Sequence, residues 1–187
     1  MLHPCQTRPR SFLWSRVCCG IKALWNLSKL RELSVPEATF SLLGALDADN
    51  RSAIPETLLH AWVAEGIIDY LGTALDVRPH IERAHCVVLP SYREGAPRTL
   101  IEAAAMGRPV IATDVPGCRA VVKRELTGLL CDVRSAESLA KTCLQFLGMT
   151  PQSRAAMGQA GRARIENQYD EKLVVKAYLA AIERAVR

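Results

Sequence analysis

The stretch Ser91-Tyr92-Arg93-Glu94-Gly95-Ala96-Pro97-Arg98-Thr99-Leu100-Ile101-Glu102-Ala103-Ala104-Ala105-Met106-Gly107-Arg108-Pro109-Val110 decides how the rest of the chain is read. Cys86-Val87-Val88-Leu89 runs into it, a short apolar run rich in β-branched residues and stopped by Pro90 and Ser91, which is the pattern of a strand buried on both faces. Pro97 suits the first turn of a helix, where its missing N–H costs nothing. Arg98 to Met106 are good helix formers, and Gly107 stands where a residue after the C-cap would end them. Strand, glycine-containing turn and helix N-terminus in succession make a concave place with backbone N–H groups, and such a place attracts phosphate. Two carboxylates, Glu94 and Glu102, frame the turn. With a helix beginning near Pro97, both can face one crevice and accept hydrogen bonds from sugar hydroxyls.

Outward from this stretch, short strands alternate with helices. Toward the N-terminus, Phe12, Leu13, Trp14 and Val17 allow a strand within residues 8–19. Leu24, Leu27, Leu30 and Leu33 then fall on one helical face, ended by Pro36. Ala38–Leu43 reads as a strand stopped by Gly44, and Pro55 opens a helix through Leu58, Leu59 and Trp62 that Gly66 closes. A strand over 67–71 opens at Gly72 into a loop, and a short helix over 79–84 leads back to Cys86. After Gly107, strands are expected at 109–112 and 129–131, separated by the turn Asp114-Val115-Pro116-Gly117 and a short helix over 118–123. Such alternation calls for a parallel sheet with helices on both faces. The last third is helical: a helix over 136–147 capped by Ser135, another from Pro151 interrupted at Gly158 and Gly161, and a terminal one capped by Asp170. The terminal helix sets Leu173, Val174, Ala177, Tyr178, Ala181 and Ile182 on one side, which needs something to pack against.

Composition narrows the possibilities. A chain of 187 residues holds one good-sized domain with a substantial core and is too short for two ordinary Rossmann-like ones. It is 49% apolar and 23% charged, as globular domains are, and no run approaches the roughly 18 apolar residues of a membrane span. The net charge of +5 comes from the start: residues 1–31 carry six Lys or Arg and no acid, while the remainder carries 18 basic against 19 acidic groups. That distribution offers no reason to expect nucleic acid as a partner. The basic start is either a plain Arg-bearing terminus or a peripheral contact for anionic lipid. Ser15 and Arg16 interrupt its apolar part, which argues against a secretory leader. Seven cysteines, at 5, 18, 19, 86, 118, 131 and 143, show neither a disulfide framework nor zinc spacing. Cys86 and Cys131 read as small core residues, and a reducing, cytoplasmic setting fits. Asp47, Asp49 and Asn50 lack the remainder of a calcium loop, so no metal is expected.

Glu94, Gly95, Pro97 and Glu102-Ala103 together resemble the E-G-x-P-x-x-x-x-E-A signature of the retaining, GT-B-fold glycosyltransferases of group 1. Leu89-Pro90-Ser91, the run Gly107 to Thr113 and Pro116-Gly117 look like the same family, with the capsule and lipopolysaccharide sugar transferases of bacteria closest in appearance. The resemblance implies an α/β fold: a Rossmann-like parallel sheet with helices on both faces, one half of a GT-B fold, plus C-terminal helices. It divides the chain into an irregular basic segment with a first helix, 1–35, and a donor-binding domain, 36–187. It implies transfer of a sugar from a nucleotide-sugar to a sugar or lipid-linked acceptor, without a cofactor or an obligatory metal.

By that resemblance Glu94 is the catalytic-site acid that holds the transferred sugar, and Glu102 holds the ribose. Backbone groups around Gly95, Ala96, Thr99 and Leu100 meet the phosphates or sugar, and the loop with Thr73, Leu75 and Val77 neighbours the base. The family's Arg and Lys pair on the diphosphate has Arg16 and Lys22 as its only counterparts at suitable spacing. Ala23 stands where Gly commonly follows the Lys, however, and alignment back from Pro36 puts Cys19-Gly20 at that place instead. The acceptor half of such an enzyme is missing, so the isolated chain is expected to have little activity. A split enzyme with a partner chain and a non-catalytic nucleotide-sugar-binding module remain open. A dehydrogenase is the outsider, because no G-x-G-x-x-G follows an early strand.

Overall fold

The computed structural model describes residues 10–15, 38–45 and 55–186. Within them six strands, β1 (Arg10–Ser15), β2 (Ala38–Leu43), β3 (Asp69–Tyr70), β4 (Cys86–Leu89), β5 (Val110–Thr113) and β6 (Leu129–Cys131), form one parallel sheet in the order β3-β2-β1-β4-β5-β6. The chain runs outward from β1 to β3, returns to the middle at β4 and runs outward again to β6. The order therefore reverses between β1 and β4, where the connections leave in opposite directions and open a crevice at the carboxyl end of the sheet. The helices are α1 (Glu56–Ala64), α2 (Arg78–Arg83), α3 (Arg98–Ala105), α4 (Pro116–Val121), α5 (Ala136–Gly148), α6 (Pro151–Gln168) and α7 (Glu171–Ala185).

The period-two alternation of the strands splits the core into two layers. Cys86, Val88, Ile111, Leu129 and Cys131 point to one face, where they meet Phe12, Phe40, Leu59, Trp62 and Phe146. Val87, Leu89, Val110, Ala112 and Leu130 point to the other, against Ile81, Leu100, Ala103, Cys118 and Val121. Phe12 anchors the first layer, stacked on Phe40 at 5.0 Å between ring centroids and edge-on to Phe146 at 5.7 Å. Cys86 and Cys131 are core residues as expected, Cys118 and Cys143 are buried as well, and burial pushes the Cys131 thiol up to about 12.

Several expectations needed adjustment. The strand allowed within residues 8–19 is present as β1, although the division at residue 36 set it outside the donor domain, and it is hydrogen-bonded into the sheet on both sides, to β2 and to β4. The strand over 67–71 shortens to Asp69–Tyr70, because α1 ends in a Schellman motif that engages the chain up to Ile67. Gly66, at φ 66°, donates its N–H to Val63 O at 3.0 Å, and Ile67 N–H reaches Trp62 O at 2.8 Å. Gly107 ends α3 in the same way at φ 70°, as its position suggested. The helix expected over 118–123 begins earlier, at Pro116. The helix over 22–33, the polar loop of Asp47, Asp49 and Asn50, and Arg16 and Lys22 lie outside the described residues.

The expected interruption of α6 does not occur: the helix runs unbroken through Gly158 and Gly161. These glycines let α6 pack closely. A Cβ on Gly158 would overlap the Gly107 carbonyl oxygen at the end of α3, and Gly161 faces Ala104 and Thr127. Gly158→Ala should therefore lower stability by about 1–3 kcal/mol, although in an open helix it would raise it by up to about 1 kcal/mol. Gly148→Ala, with open space around the added methyl, is the control and should be neutral or stabilising. Urea unfolding midpoints of the two variants decide the matter.

Candidate functional site

The site gathers at the carboxyl ends of β2, β3 and β4. Leu42 and Leu43 bring β2 up buried, and Gly44, at φ 148°, turns the chain. Gly44 N–H donates to Gly72 O at 2.8 Å, Leu71 N–H to Leu42 O at 2.9 Å, and the Tyr70 hydroxyl to Gly44 O at 2.9 Å, so the loops after β2 and β3 are tied into one wall. Asp76 and Arg78 close the second loop: the carboxylate accepts from the Arg78 backbone N–H at 3.0 Å and from its guanidinium at 2.8 Å. On the opposite side α3 begins at Arg98, with Pro97 as the residue before it.

Between these walls lies a cavity of about 340 Å³ lined by Leu43, Gly44, Ala45, Thr73, Ala74, Leu75, Val77, Arg98, Thr99 and Glu102. Glu102 sits on the second turn of α3 and pairs with Arg98 across 3.5 Å, both side chains open to solvent. Of the residues named from sequence, the cavity thus brings together Thr99 and Glu102 with Thr73, Leu75 and Val77. Glu94, Gly95 and Ala96 belong to the β4–α3 loop beside it and are not part of its lining. Leu100 differs from expectation. Its N–H already donates to Pro97 O at 3.0 Å in the first helical turn, and its side chain is fully buried in the core. The contribution of Leu43, Gly44 and Ala45 went unread in the sequence, although a glycine ending a strand next to the chain reversal was a signal for it.

The β4–α3 loop is held from the side of β5. The Thr113 hydroxyl, buried at the end of β5, donates to the Ser91 carbonyl. Arg134 lies over the Tyr92 ring at 5.4 Å from its centroid. Asp114 follows Thr113 and accepts from Arg119 and from Arg124, each at 2.8 Å, while Arg124 also reaches Leu130 O at 3.0 Å. The Arg119 hydrogen bond, with help from Arg124 and against a smaller cost of burial, holds the Asp114 carboxyl below its ordinary value. Asp114 therefore serves the turn, as the sequence suggested. Among the described residues no three His, Cys, Asp or Glu side chains come together as a metal site, and no helix is long and apolar enough to cross a membrane.

The depressed acidity of Asp114 has a definite sign in stability. Its contribution is complete above the unfolded value of 3.8 and is lost as the pH falls through the lower folded value. Asp114→Asn should cost about 0.5–1 kcal/mol at neutral pH, the scale of partly exposed ion pairs. That difference from wild type should shrink toward zero in unfolding titrations carried below pH 3.8.

Comparison with known proteins bears on this arrangement. Residues 20–149 match the family described as Glycosyl transferases group 1. Over 94% of its length the chain is 26% identical to the N,N'-diacetylbacillosaminyl-diphospho-undecaprenol alpha-1,3-N-acetylgalactosaminyltransferase of Campylobacter jejuni, of which it covers 43%. Its fold superposes with a TM-score of 0.78 on the Anabaena protein HepE, solved with UDP and glucose, at 18% identity over 94% of this chain and 48% of that one. On the C-terminal domain of LpcC, a glycosyl transferase group 1 family protein of Francisella tularensis, the TM-score is 0.67 at 18% identity, covering 89% of this chain and 95% of that domain. The chain spans less than half the length of the Campylobacter enzyme and of HepE, and nearly the whole of the LpcC domain. It belongs to the group 1 glycosyltransferase family and carries the Rossmann-like fold of one half of a GT-B enzyme.

Proposed function

We propose that the chain is the donor-binding half of a retaining glycosyltransferase, with residues 36–187 and the strand β1 as its nucleotide-sugar domain. One observation carries this reading: the cavity joins Glu102 on the second turn of α3 to the two walls after β2 and β3, directly beside the loop that bears Glu94. In this reading Glu102 accepts hydrogen bonds from the ribose hydroxyls and the segment Thr73–Val77 surrounds the base. Thr99 at the start of α3 faces the phosphates, and Glu94 with the Gly95 and Ala96 amides holds the transferred sugar. HepE was solved with UDP and glucose, which supports a nucleoside diphosphate sugar as the donor here.

Transfer requires the diphosphate to leave with its charge stabilised, and preorganised dipoles and cations aimed at that charge are usually the largest catalytic term. The start of α3 supplies dipoles, and Arg16 and Lys22 are the proposed cations. No cofactor or obligatory metal enters the scheme. The acceptor, a sugar or a lipid-linked sugar as in the named Campylobacter enzyme, would be held by an acceptor domain or a partner chain in the cytoplasm, at the membrane face. The terminal helix favours such a partner: Leu173, Tyr178, Leu179 and Ile182 of α7 all remain exposed. Capsule or lipopolysaccharide synthesis is the setting this implies.

Calorimetric titration of the chain with UDP, GDP and their sugar conjugates tests the proposal. Saturable binding is expected, and Glu102→Ala should weaken it by about 1.5–3 kcal/mol, the worth of hydrogen bonds to a charged group, or roughly ten- to hundredfold. No binding by the folded wild-type chain would refute the donor site. Sugar transfer by the chain alone should be negligible, and efficient turnover without a second domain would refute its role as a half-enzyme.

A further inference from the structure

The β4–α3 loop that bears Glu94 is braced by residues that the donor-site reading leaves without a role. Resting on that reading, we infer that Gly117 and Thr113 are positioning residues for the sugar end of the donor site, and that they act on it separately from the nucleoside end. Gly117 lies buried in the first turn of α4 with its backbone against the loop, and a Cβ there would overlap the carbonyl oxygens of both Glu94 and Gly95. Neither oxygen is the end of a flexible side chain that could move aside. Only glycine permits the approach.

This contact fixes the position of two peptide groups. The described peptide bonds are trans, and in a planar trans peptide the N–H points opposite to the C=O. The Glu94 and Gly95 carbonyl oxygens both lie against the Gly117 backbone, so the two peptide planes that carry the Gly95 and Ala96 N–H groups are held in place by α4. The strand order places β5 on one side of β4, and β1 and then β2 on the other. The cavity opens beside Leu43, Gly44 and Ala45, on the β2 side of the loop. The same contact fixes the backbone from which the Glu94 side chain departs.

The brace itself is firmly held. Thr113 is 2% exposed and bonds the Ser91 carbonyl, and Asp114 is bound by two arginines on one side of the turn. At the far end of α4 the last carbonyls accept from α6 and the residue after it: Arg164 donates to Val121 O at 3.0 Å and to Ala120 O at 2.7 Å, and the Tyr169 hydroxyl donates to Ala120 O at 2.9 Å. The nucleoside cavity draws its lining from the β2 and β3 loops and from α3, and from no residue between 113 and 117. The two ends of the site thus depend on different connections of the fold.

The test compares wild type, Gly117→Ala and Thr113→Val by calorimetry with UDP, UDP-glucose, GDP and GDP-mannose as probes, and by amide hydrogen exchange of the free chain. Thr113→Val keeps the shape of the side chain and removes only its donor, so it carries the test if Gly117→Ala fails to fold. Exchange should quicken in peptides covering 91–97 and stay unchanged in those covering 38–45 and 69–77. Affinity for the nucleotide sugar should fall about tenfold, with affinity for the matching free nucleoside diphosphate within twofold of wild type. Equal losses for both ligands, no loss in a folded variant, or unchanged exchange at 91–97 would overturn the inference and leave the donor reading standing. A wild-type chain that binds none of the four probes would overturn the donor reading and the inference together.

Discussion

The strand β4 has no free side. It is hydrogen-bonded to β1 along one edge and to β5 along the other, and all four of its residues are buried. A strand so enclosed must be apolar throughout and covered by helices above and below, and it can meet a ligand only through its carboxyl end. The polar residues of the family signature accordingly follow directly on Leu89, where the chain leaves the sheet beside the point at which strand order reverses. Had β4 been an edge strand, the same residues would have opened onto solvent rather than into a crevice.

Around that end the site is assembled from connections that are far apart in the chain. The loops after β2 and β3 are joined by backbone hydrogen bonds between Gly44 and Gly72 and between Leu71 and Leu42. The β5–α4 connection braces the opposite side through Thr113 and Gly117. The C-terminal helices complete this frame from behind, with α6 seated on the end of α3 at Gly158 and on the end of α4 through Arg164. Close backbone packing and the arginine contacts of Asp76 and Asp114 together give the site its shape. Its two glutamates remain partly exposed and available to hydroxyl groups.

The fold could be read from residues because its main constraints are local. Four-residue apolar runs bounded by Pro and Gly announced β4 and β5, and Gly66 and Gly107 announced the ends of α1 and α3. Ser135 and Asp170 were correctly taken as caps: Ser135 accepts from Ser138 N–H at 3.1 Å and Asp170 from Lys172 N–H at 2.9 Å. Reading failed where a residue's local tendency yielded to distant packing. Gly158 and Gly161 looked like helix breakers but serve close approach of α6 to α3. Leu100 looked like a donor to a ligand but closes the first turn of α3. The strand over residues 10–15 was legible, but its place between β2 and β4 was not, because pairing partners in a parallel sheet come from other parts of the chain.

The sequence by itself determined the alternation of strand and helix, the burial of β4 and the chemical character of the Glu94–Glu102 turn, since these depend on side-chain polarity and spacing within a few residues. Only the tertiary structure decided that Leu43, Gly44 and Ala45 share a cavity with Glu102, that Glu94 stands beside it, and that Gly117 packs against the Glu94 and Gly95 carbonyls. Those relations join segments tens of residues apart, and sheet order together with the steric contact of backbone on backbone sets them, neither of which leaves a periodic mark in the chain.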